Sequence, residues 1–231
     1  VETLIDEICG ELQMDPIEFR LLNAAKEGTR RIEGLVAQRI GLVECLEAAR
    51  NHEHYQTPLS GKYRGRGVAS GFWMNRGFHS SCNITVNPDG TVNLIEGSVD
   101  IGGSRASISQ QAAETLGIPY EDVKPTVVDT DSVGYTMVTG GSRTTFATGW
   151  AAILAAEDVK EQMVERAAQI WETSSNDVQY QDGVMSHISD PELRMTFKEL
   201  ARQINSTGGA ITGTASLDPS GEGNSFGVHI V

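Results

Sequence analysis

The most informative part of the sequence is residues 97–119, GSVDIGGSRASISQQAAETLGIP, in which an extended segment passes through two glycines into a helix. Apolar residues recur at helical spacing over residues 108–116, and Gly117 followed by Pro119 is a typical helix stop. A second Gly-Gly-Ser-Arg tetrapeptide stands at residues 140–143, again ahead of a helical segment. The sequence therefore predicts two glycine turns, each at the start of a helix.

Both predicted turns have the features of an anion-binding site. The first turn of a helix exposes N–H groups, the helix dipole adds positive potential, and glycine lets an anion approach the backbone. Side-chain hydroxyls and guanidinium groups can add further donors. The predicted cofactor-binding residues are Gly102, Gly103, Ser104, Arg105, Gly140, Gly141, Ser142, Arg143 and Thr144.

Two interpretations of these turns compete. Either copy alone is explained by an ordinary serine N-cap with a flexible approach. Because the tetrapeptide occurs twice in similar contexts, we favour one polyanionic ligand that both turns hold. The sequence contains neither Gly-x-Gly-x-x-Gly at these turns nor Gly-Lys-Ser/Thr, so the Rossmann and P-loop interpretations lack their key residues.

The remaining patterns predict an α+β fold with mixed β-sheets and interleaved helices. Residues 1–60 are expected to form a helical lead-in, with Asp15 and Pro16 in the order of an N-cap and a first-turn proline. Residues 61–231 are expected to form the α+β domain. Within that domain, alternating apolar and polar residues flank the turn at 87–90, which predicts a β-hairpin.

Shorter patterns support the same fold class. Residues 123–129 are rich in β-branched side chains, and residues 178–186 contain a second hairpin pattern around Gly183. Thr196 and Glu199 have the spacing of a capping box, which predicts a short helix after Thr196.

Composition restricts the classes of partner. A formal net charge of −13 and a pI near 4.8 argue against nucleic acid or an anionic membrane surface. The longest apolar stretch, around residues 149–156, is far shorter than the roughly 20 residues of a membrane span. Cys9, Cys45 and Cys82 lack the paired spacing of a metal site and are expected to be buried thiols. Such sparse cysteine use favours a cytoplasmic location.

Several stretches together resemble the large subunit of the molybdenum hydroxylases, the family of xanthine dehydrogenase, aldehyde oxidase and carbon monoxide dehydrogenase. The resemblance runs through nearly the whole chain, and the combination is far more specific than any single piece. The matching stretches are 14–20 (MDPIEFR), 64–67 (RGRG), 97–102 (GSVDIG), 113–119 (AETLGIP), 127–131 (VVDTD) and 140–144 (GGSRT).

This resemblance implies a molybdenum-cofactor-binding domain of the xanthine dehydrogenase/aldehyde oxidase type. The implied cofactor is molybdopterin with molybdenum, often as the cytosine dinucleotide in bacteria, with its phosphates on the two turns. The implied reaction is hydroxylation of a small-molecule N-heterocycle or aldehyde with oxygen from water. Electrons would pass to iron–sulfur and FAD cofactors. The implied partners are the remainder of the molybdenum subunit, an iron–sulfur subunit and a flavin subunit, and the chain is expected to be a fragment that is inactive alone.

The sequence departs from the family pattern at the first turn. Many members have Gly-Gln-Gly where this chain has Gly102-Gly103-Ser104, so the glutamine that lies beside molybdenum is absent. The family's catalytic glutamate is expected outside this chain, and no catalytic residue is predicted here. Glu96, Glu114 and Asp100 are candidates on residue type alone, and solvated carboxylates are the favoured interpretation. The alternative function is a non-catalytic anion-binding or scaffolding module that retains the fold.

Three smaller signals have both a functional and a structural interpretation. Phe72 and Trp73 could line a substrate pocket for a flat ring, although core packing is the favoured interpretation. His52 and His54 are expected to belong to a polar linker. Residues 129–131, Asp-Thr-Asp, supply too few oxygens for a cation site and are expected to form a turn. No metal-binding residue is predicted.

Overall fold

The computed structural model describes residues 1–32, 34–221 and 225–231. Its helices are α1 Glu2–Leu12, α2 Pro16–Asn23, α3 Leu42–Asn51, α4 Glu53–Gln56, α5 Ser104–Leu116, α6 Thr130–Val133, α7 Gly149–Ile170 and α8 Phe197–Ala201. Its strands are β1 Val68–Trp73, β2 Ser80–Val86, β3 Val92–Glu96, β4 Val123–Val127, β5 Val178–Gln181, β6 Val184–His187, β7 Arg194–Thr196, β8 Thr212–Leu217 and β9 Ser225–Ile230. None of the helices in these ranges combines the length and apolar character of a transmembrane span.

The chain divides into two compact units. One consists of Val1–Asn75 together with the C-terminal strand β9, and the other of Arg76–Gly221. The domain boundary expected from the sequence, near residue 60, stays a prediction. The mixture of helices and several sheets confirms the α+β fold class.

The first unit joins the N-terminal helices to a two-stranded antiparallel sheet of β1 and β9. Its helix α2 begins as predicted: Pro16 stands in the first turn, and the Asp15 carboxylate accepts hydrogen bonds from the amides of Ile17 and Glu18 at 2.9 Å each. Burial of Ile17 beneath this cap anchors α2 in the small core of the unit. The helices predicted for the N-terminal segment are thus confirmed.

The second unit contains a mixed four-stranded sheet in the order β4-β3-β2-β8. Strands β2 and β3 form the predicted hairpin, and β3 runs parallel to β4 with α5 as the crossover between them. A separate antiparallel sheet, β5-β6-β7, includes the second predicted hairpin. The predicted capping box is present, because the Thr196 and Glu199 side chains bond to each other's backbone amides.

Small residues let α7 lie close to the sheet. Buried alanines line α7, and the helix packs against α5 and β8. Gly213 on β8 lies directly beneath α7, where a Cβ atom would overlap the carbonyl oxygen of Ala155. The fit depends on the absence of a side chain at this position.

The topology places the first glycine turn at the carboxyl end of a parallel strand pair. The chain leaves β3 at Glu96, passes through Gly102 and Gly103 and enters α5, while β4 ends beside it at Val127. Ligands of parallel sheets bind at this end, because the loops and helix N-termini meet there. The fold therefore positions the first turn where a ligand is expected.

We expect Gly213→Ala to destabilise the protein by about 1–3 kcal/mol, because the new methyl group meets rigid helix backbone. Urea denaturation measures the change. Gly71→Ala is the matched control, since Gly71 is also a strand glycine but has nothing within 4 Å of its added Cβ. Equal losses in the two variants would contradict the packing argument.

Candidate functional site

The first turn has the left-handed backbone that only glycine adopts without strain. Gly102 has φ 61° and Gly103 has φ 85°, and α5 begins at the next residue, Ser104. A Cβ added at either glycine would meet no atom within 4 Å, so the space above the turn is open. In the described part of the chain, the amides of both glycines lack an acceptor. These two N–H groups can therefore bind a ligand.

A carboxylate of the chain already occupies the other donors of the first turn. The Asp100 carboxylate accepts from the Ser104 hydroxyl, the Arg105 amide and Arg105 Nε, each at 3.1 Å. These bonds, led by the Arg105 amide, hold the pKa of Asp100 below its usual value. Arg105 is 47% exposed in this pair. The first turn thus binds an internal anion, while the amides of Gly102 and Gly103 have no acceptor in the described part of the chain.

The second turn has the same left-handed pair one position later in the tetrapeptide. Gly141 has φ 66° and Ser142 has φ 56°, and the π-helical turn begins at Thr144. Residues 34–221 as described contain no acceptor for the amides of Gly140, Gly141 and Ser142. The sequence repeat is therefore not a structural repeat, although both copies present free amides ahead of a helix.

The two arginines of the repeat have opposite environments. Arg143 is fully buried. Its guanidinium donates to the carbonyl oxygens of Gly77 (2.8 Å), Met137 (3.0 Å) and His79 (2.6 Å), as well as to Phe78 O and the Ser80 hydroxyl. Burial lowers the pKa of the Arg143 guanidinium. The side chain therefore anchors the segments beneath the second turn, and only its backbone amide can face a ligand.

Another arginine supplies an exposed cation at the second turn. Arg76 donates its amide to the Gly141 carbonyl at 2.9 Å, and its side chain covers Gly141 so closely that an added Cβ would lie 2.5 Å from Arg76 Cγ. The Arg76 side chain is exposed. Sequence reasoning missed this residue, because nothing in the sequence connects it to a turn so far along the chain.

Hydrogen bonds connect the two turns. The Val99 amide, just before the first turn, donates to Thr139 Oγ1 at 3.0 Å, just before the second. A second hydrogen bond joins Ser98, before the first turn, to Thr148, after the second turn: their hydroxyl oxygens lie 2.8 Å apart. The structure thus brings together the two segments that the sequence analysis assigned to one ligand.

Of the three candidate carboxylates, only Glu96 departs strongly from a solvated environment. It is 1% exposed, and burial raises its pKa, although donors from Ser98 and the charge of Arg105 act in the opposite direction. The expectation of a solvated carboxylate is therefore wrong for Glu96. Glu114 is exposed, as expected. The pattern that buries Glu96, alternation along β3, was visible in the sequence.

The smaller sequence signals are also resolved. Phe72 and Trp73 on β1 are 57% and 60% exposed, so the core-packing interpretation is wrong for both. The two side chains belong to the first unit. Asp129 caps the short helix α6 by accepting from Ser132, which confirms the turn. His52 caps α4 through its ring, and the described residues contain no cluster that could hold a metal ion.

Comparison with known proteins adds independent observations. A family described as molybdopterin cofactor-binding domain matches residues 40–231. The xanthine dehydrogenase molybdenum-binding subunit of Escherichia coli O157:H7 is 29% identical over the whole chain, which covers 33% of that subunit. The aldehyde oxidoreductase molybdenum-binding subunit PaoC of the same organism is 36% identical over 53% of the chain and 18% of its own length.

A solved structure shares the fold. The crystal structure of a Cu,Mo-CO dehydrogenase superposes with a TM-score of 0.81 at 22% identity, over 99% of this chain and 33% of that chain. This likeness confirms the predicted fold type. The chain spans about a third of the length of the relatives that match all of it.

The repeat supplies a matched pair of variants. We expect Arg143→Gln to cost about 3 kcal/mol or more, because several buried carbonyl groups lose their donor. Arg105→Gln breaks one half-exposed ion pair and should cost at most about 1 kcal/mol. Urea denaturation of both variants tests the comparison, and a small loss for Arg143→Gln would contradict the anchoring role.

We also expect the stability difference between Glu96→Gln and the wild type to depend on pH. Burial raises the folded-state pKa of Glu96 above its usual value of 4.5, so the folded protein holds the Glu96 proton more tightly than the unfolded chain does. The stabilisation that results is fully present below pH 4.5 and is lost as the pH rises through the folded-state pKa. The glutamine variant should therefore gain stability relative to the wild type from pH 4.5 to pH 7.5. Exposed Glu114→Gln controls for net charge, and an equal trend in both variants would contradict this expectation.

Proposed function

Because the chain belongs to the molybdopterin cofactor-binding domain family, we propose that it is part of a molybdenum hydroxylase in which both glycine turns hold phosphate groups of the cofactor. The observation that carries this proposal is the pair of turns with free amides, connected by the hydrogen bond from Val99 to Thr139. A phosphate accepts several hydrogen bonds at once, which matches clustered amides ahead of helices.

The proposed contacts follow from the positions of the donors. Gly102, Gly103, Gly140, Gly141 and Ser142 offer backbone amides, and the sequence-based site includes the backbone of Ser104, Arg105, Arg143 and Thr144. Arg105 and Arg76 carry the exposed positive charges. The buried Arg143 side chain is proposed to shape the second turn.

The cofactor when bound supplies the redox chemistry, which is hydroxylation of a carbon atom with oxygen from water. We propose molybdopterin, as the cytosine dinucleotide form, and an N-heterocycle or aldehyde as substrate. The remainder of the molybdenum subunit, an iron–sulfur subunit and a flavin subunit are the proposed partners. The chain spans only a third of its relatives, so activity is proposed for the full-length subunit and not for this part alone.

Two further points complete the proposal. Exposed Phe72 and Trp73 remain proposed substrate contacts, since an aromatic face suits a flat ring. A cytoplasmic location is proposed because Cys9, Cys45 and Cys82 are free thiols, which suits a reducing compartment.

A non-catalytic anion-binding or scaffolding role is the second candidate. Gly103 favours it, because this position lacks the side-chain amide that many family members place beside molybdenum. A full-length protein that binds the cofactor but turns over no N-heterocycle or aldehyde would support this candidate over the enzyme.

Metal and phosphate analysis tests the proposed function. Full-length protein, purified from a host that synthesises the cofactor, should contain molybdenum and organic phosphate in near-stoichiometric amounts. Absence of both would refute the proposal.

We expect Arg76→Gln to lower the molybdenum content by about tenfold, because a charge-assisted hydrogen bond to phosphate is lost. Arg202→Gln is the control, since Arg202 is also exposed but lies beyond α8, away from both turns. Equal contents in the wild type and Arg76→Gln would remove Arg76 from the site.

A further inference from the structure

Three buried hydroxyl groups form a chain between the two turns. Thr148 Oγ1 lies 3.0 Å from Ser80 Oγ and 2.8 Å from Ser98 Oγ, and all three residues are at most 1% exposed. At one end, the Arg143 guanidinium donates to Ser80. At the other end, the Ser98 amide donates to the Glu96 carboxylate. The chain thus runs from a buried cation to a buried acid.

The Arg143 guanidinium fixes the direction of the first bond in this series of hydroxyls. A guanidinium can only donate, so Ser80 accepts from Arg143 and can donate its own proton to Thr148. At the other end, Thr148 can donate its own proton to the Ser98 hydroxyl, and the Ser98 amide donates to Glu96. Hydroxyl groups that donate and accept at the same time strengthen one another's hydrogen bonds.

Of the three hydroxyl residues, Thr148 follows the second turn in sequence and bonds to the segment that precedes the first turn. It ends the π-helical turn that follows Arg143, whereas Ser98 lies between β3 and the first glycine turn. A π turn contains one residue more than an α turn, which rotates the side chains that follow by about 100° around the helix axis. The Thr148 hydroxyl therefore lies in the interior, at bonding distance from Ser98.

We propose that Thr148 is a positioning residue whose hydroxyl couples the order of the two glycine turns, so that they act as a single site for the cofactor phosphates. This inference rests on the proposed function and deepens it. Loss of the hydroxyl should loosen both turns together, including the first turn, which lies more than forty positions earlier in the sequence.

The test uses the full-length protein with Thr148→Val, which keeps the shape and removes the hydroxyl, and Thr148→Ser, which keeps the hydroxyl. Thr115→Val is the control, because it also loses a threonine hydrogen bond, to the Gln111 carbonyl inside α5. We expect Thr148→Val to retain about tenfold less molybdenum and organic phosphate, the effect of losing two hydrogen bonds. Thr148→Ser and Thr115→Val should retain wild-type amounts.

Amide hydrogen exchange on cofactor-free protein gives a second readout that a local packing role would not produce. Thr148→Val should raise exchange in residues 98–105 and in residues 139–144 together, and leave the β5–β6 hairpin unchanged. A rise confined to residues 139–144 would overturn the coupling. Wild-type cofactor content in Thr148→Val, or equal losses in Thr148→Val and Thr148→Ser, would also overturn it.

The readouts separate this inference from the proposed function. Wild-type protein without molybdenum and organic phosphate would refute the function, while the exchange comparison would still decide the coupling. If Thr148→Val fails to fold, Ser98→Ala replaces it, since that change removes the bond between Thr148 and the first-turn segment and keeps the bond from the residue-98 amide to Glu96. Unchanged exchange at residues 98–105 in Ser98→Ala would then overturn the inference.

Discussion

The burial of the Arg143 guanidinium is the constraint on which the arrangement of the second turn depends. A guanidinium out of water is costly unless its donors are satisfied, and here the carbonyl groups of residues 77–79 and 137, with Ser80, satisfy them. The entry to β2 and the loop before the second turn must therefore curve around one side chain. The hydrogen bonds of the buried Arg143 side chain therefore determine the shape of the second turn.

This constraint also explains the unusual backbone of Ser142. A left-handed conformation costs a non-glycine residue about 1–2 kcal/mol, yet Ser142 adopts it with φ 56°. The next residue, Arg143, must point into the interior to reach its carbonyl partners, and the hydrogen bonds of its guanidinium offset the strain. The result is a turn whose amides have no acceptor among the described residues, while its arginine is buried.

The first turn also has amides without an acceptor in the described residues, but different residues produce its conformation. Its left-handed residues are both glycines, and its donors beyond them are held by Asp100. The Asp100 carboxylate neutralises the local positive potential of these donors. Buried hydroxyl groups, rather than apolar side chains, fill the space between the two turns. A buried polar network whose hydrogen bonds are satisfied specifies one arrangement of the segments that it joins.

The local elements could be predicted from the sequence because each depends on neighbours in the chain. The Asp15 cap, the β2–β3 hairpin, the glycine stop of α5 and the capping box at Thr196 all result from interactions within a few residues. The two glycine turns and their place ahead of helices belong to the same class. The family resemblance likewise depends on short motifs and is confirmed.

The roles within the turns could not be predicted, because distant segments decide them. Identical tetrapeptides place Arg105 at the surface and Arg143 in the interior, since the carbonyl groups that receive Arg143 come from residues 77–79. The exposed cation of the second turn, Arg76, and the buried state of Glu96 arise in the same way. The sequence by itself determined which segments fold into turns, helices and strands, because those choices are local. Only the tertiary structure decided which of their side chains are exposed and which are buried, because burial depends on what the rest of the chain places around each residue.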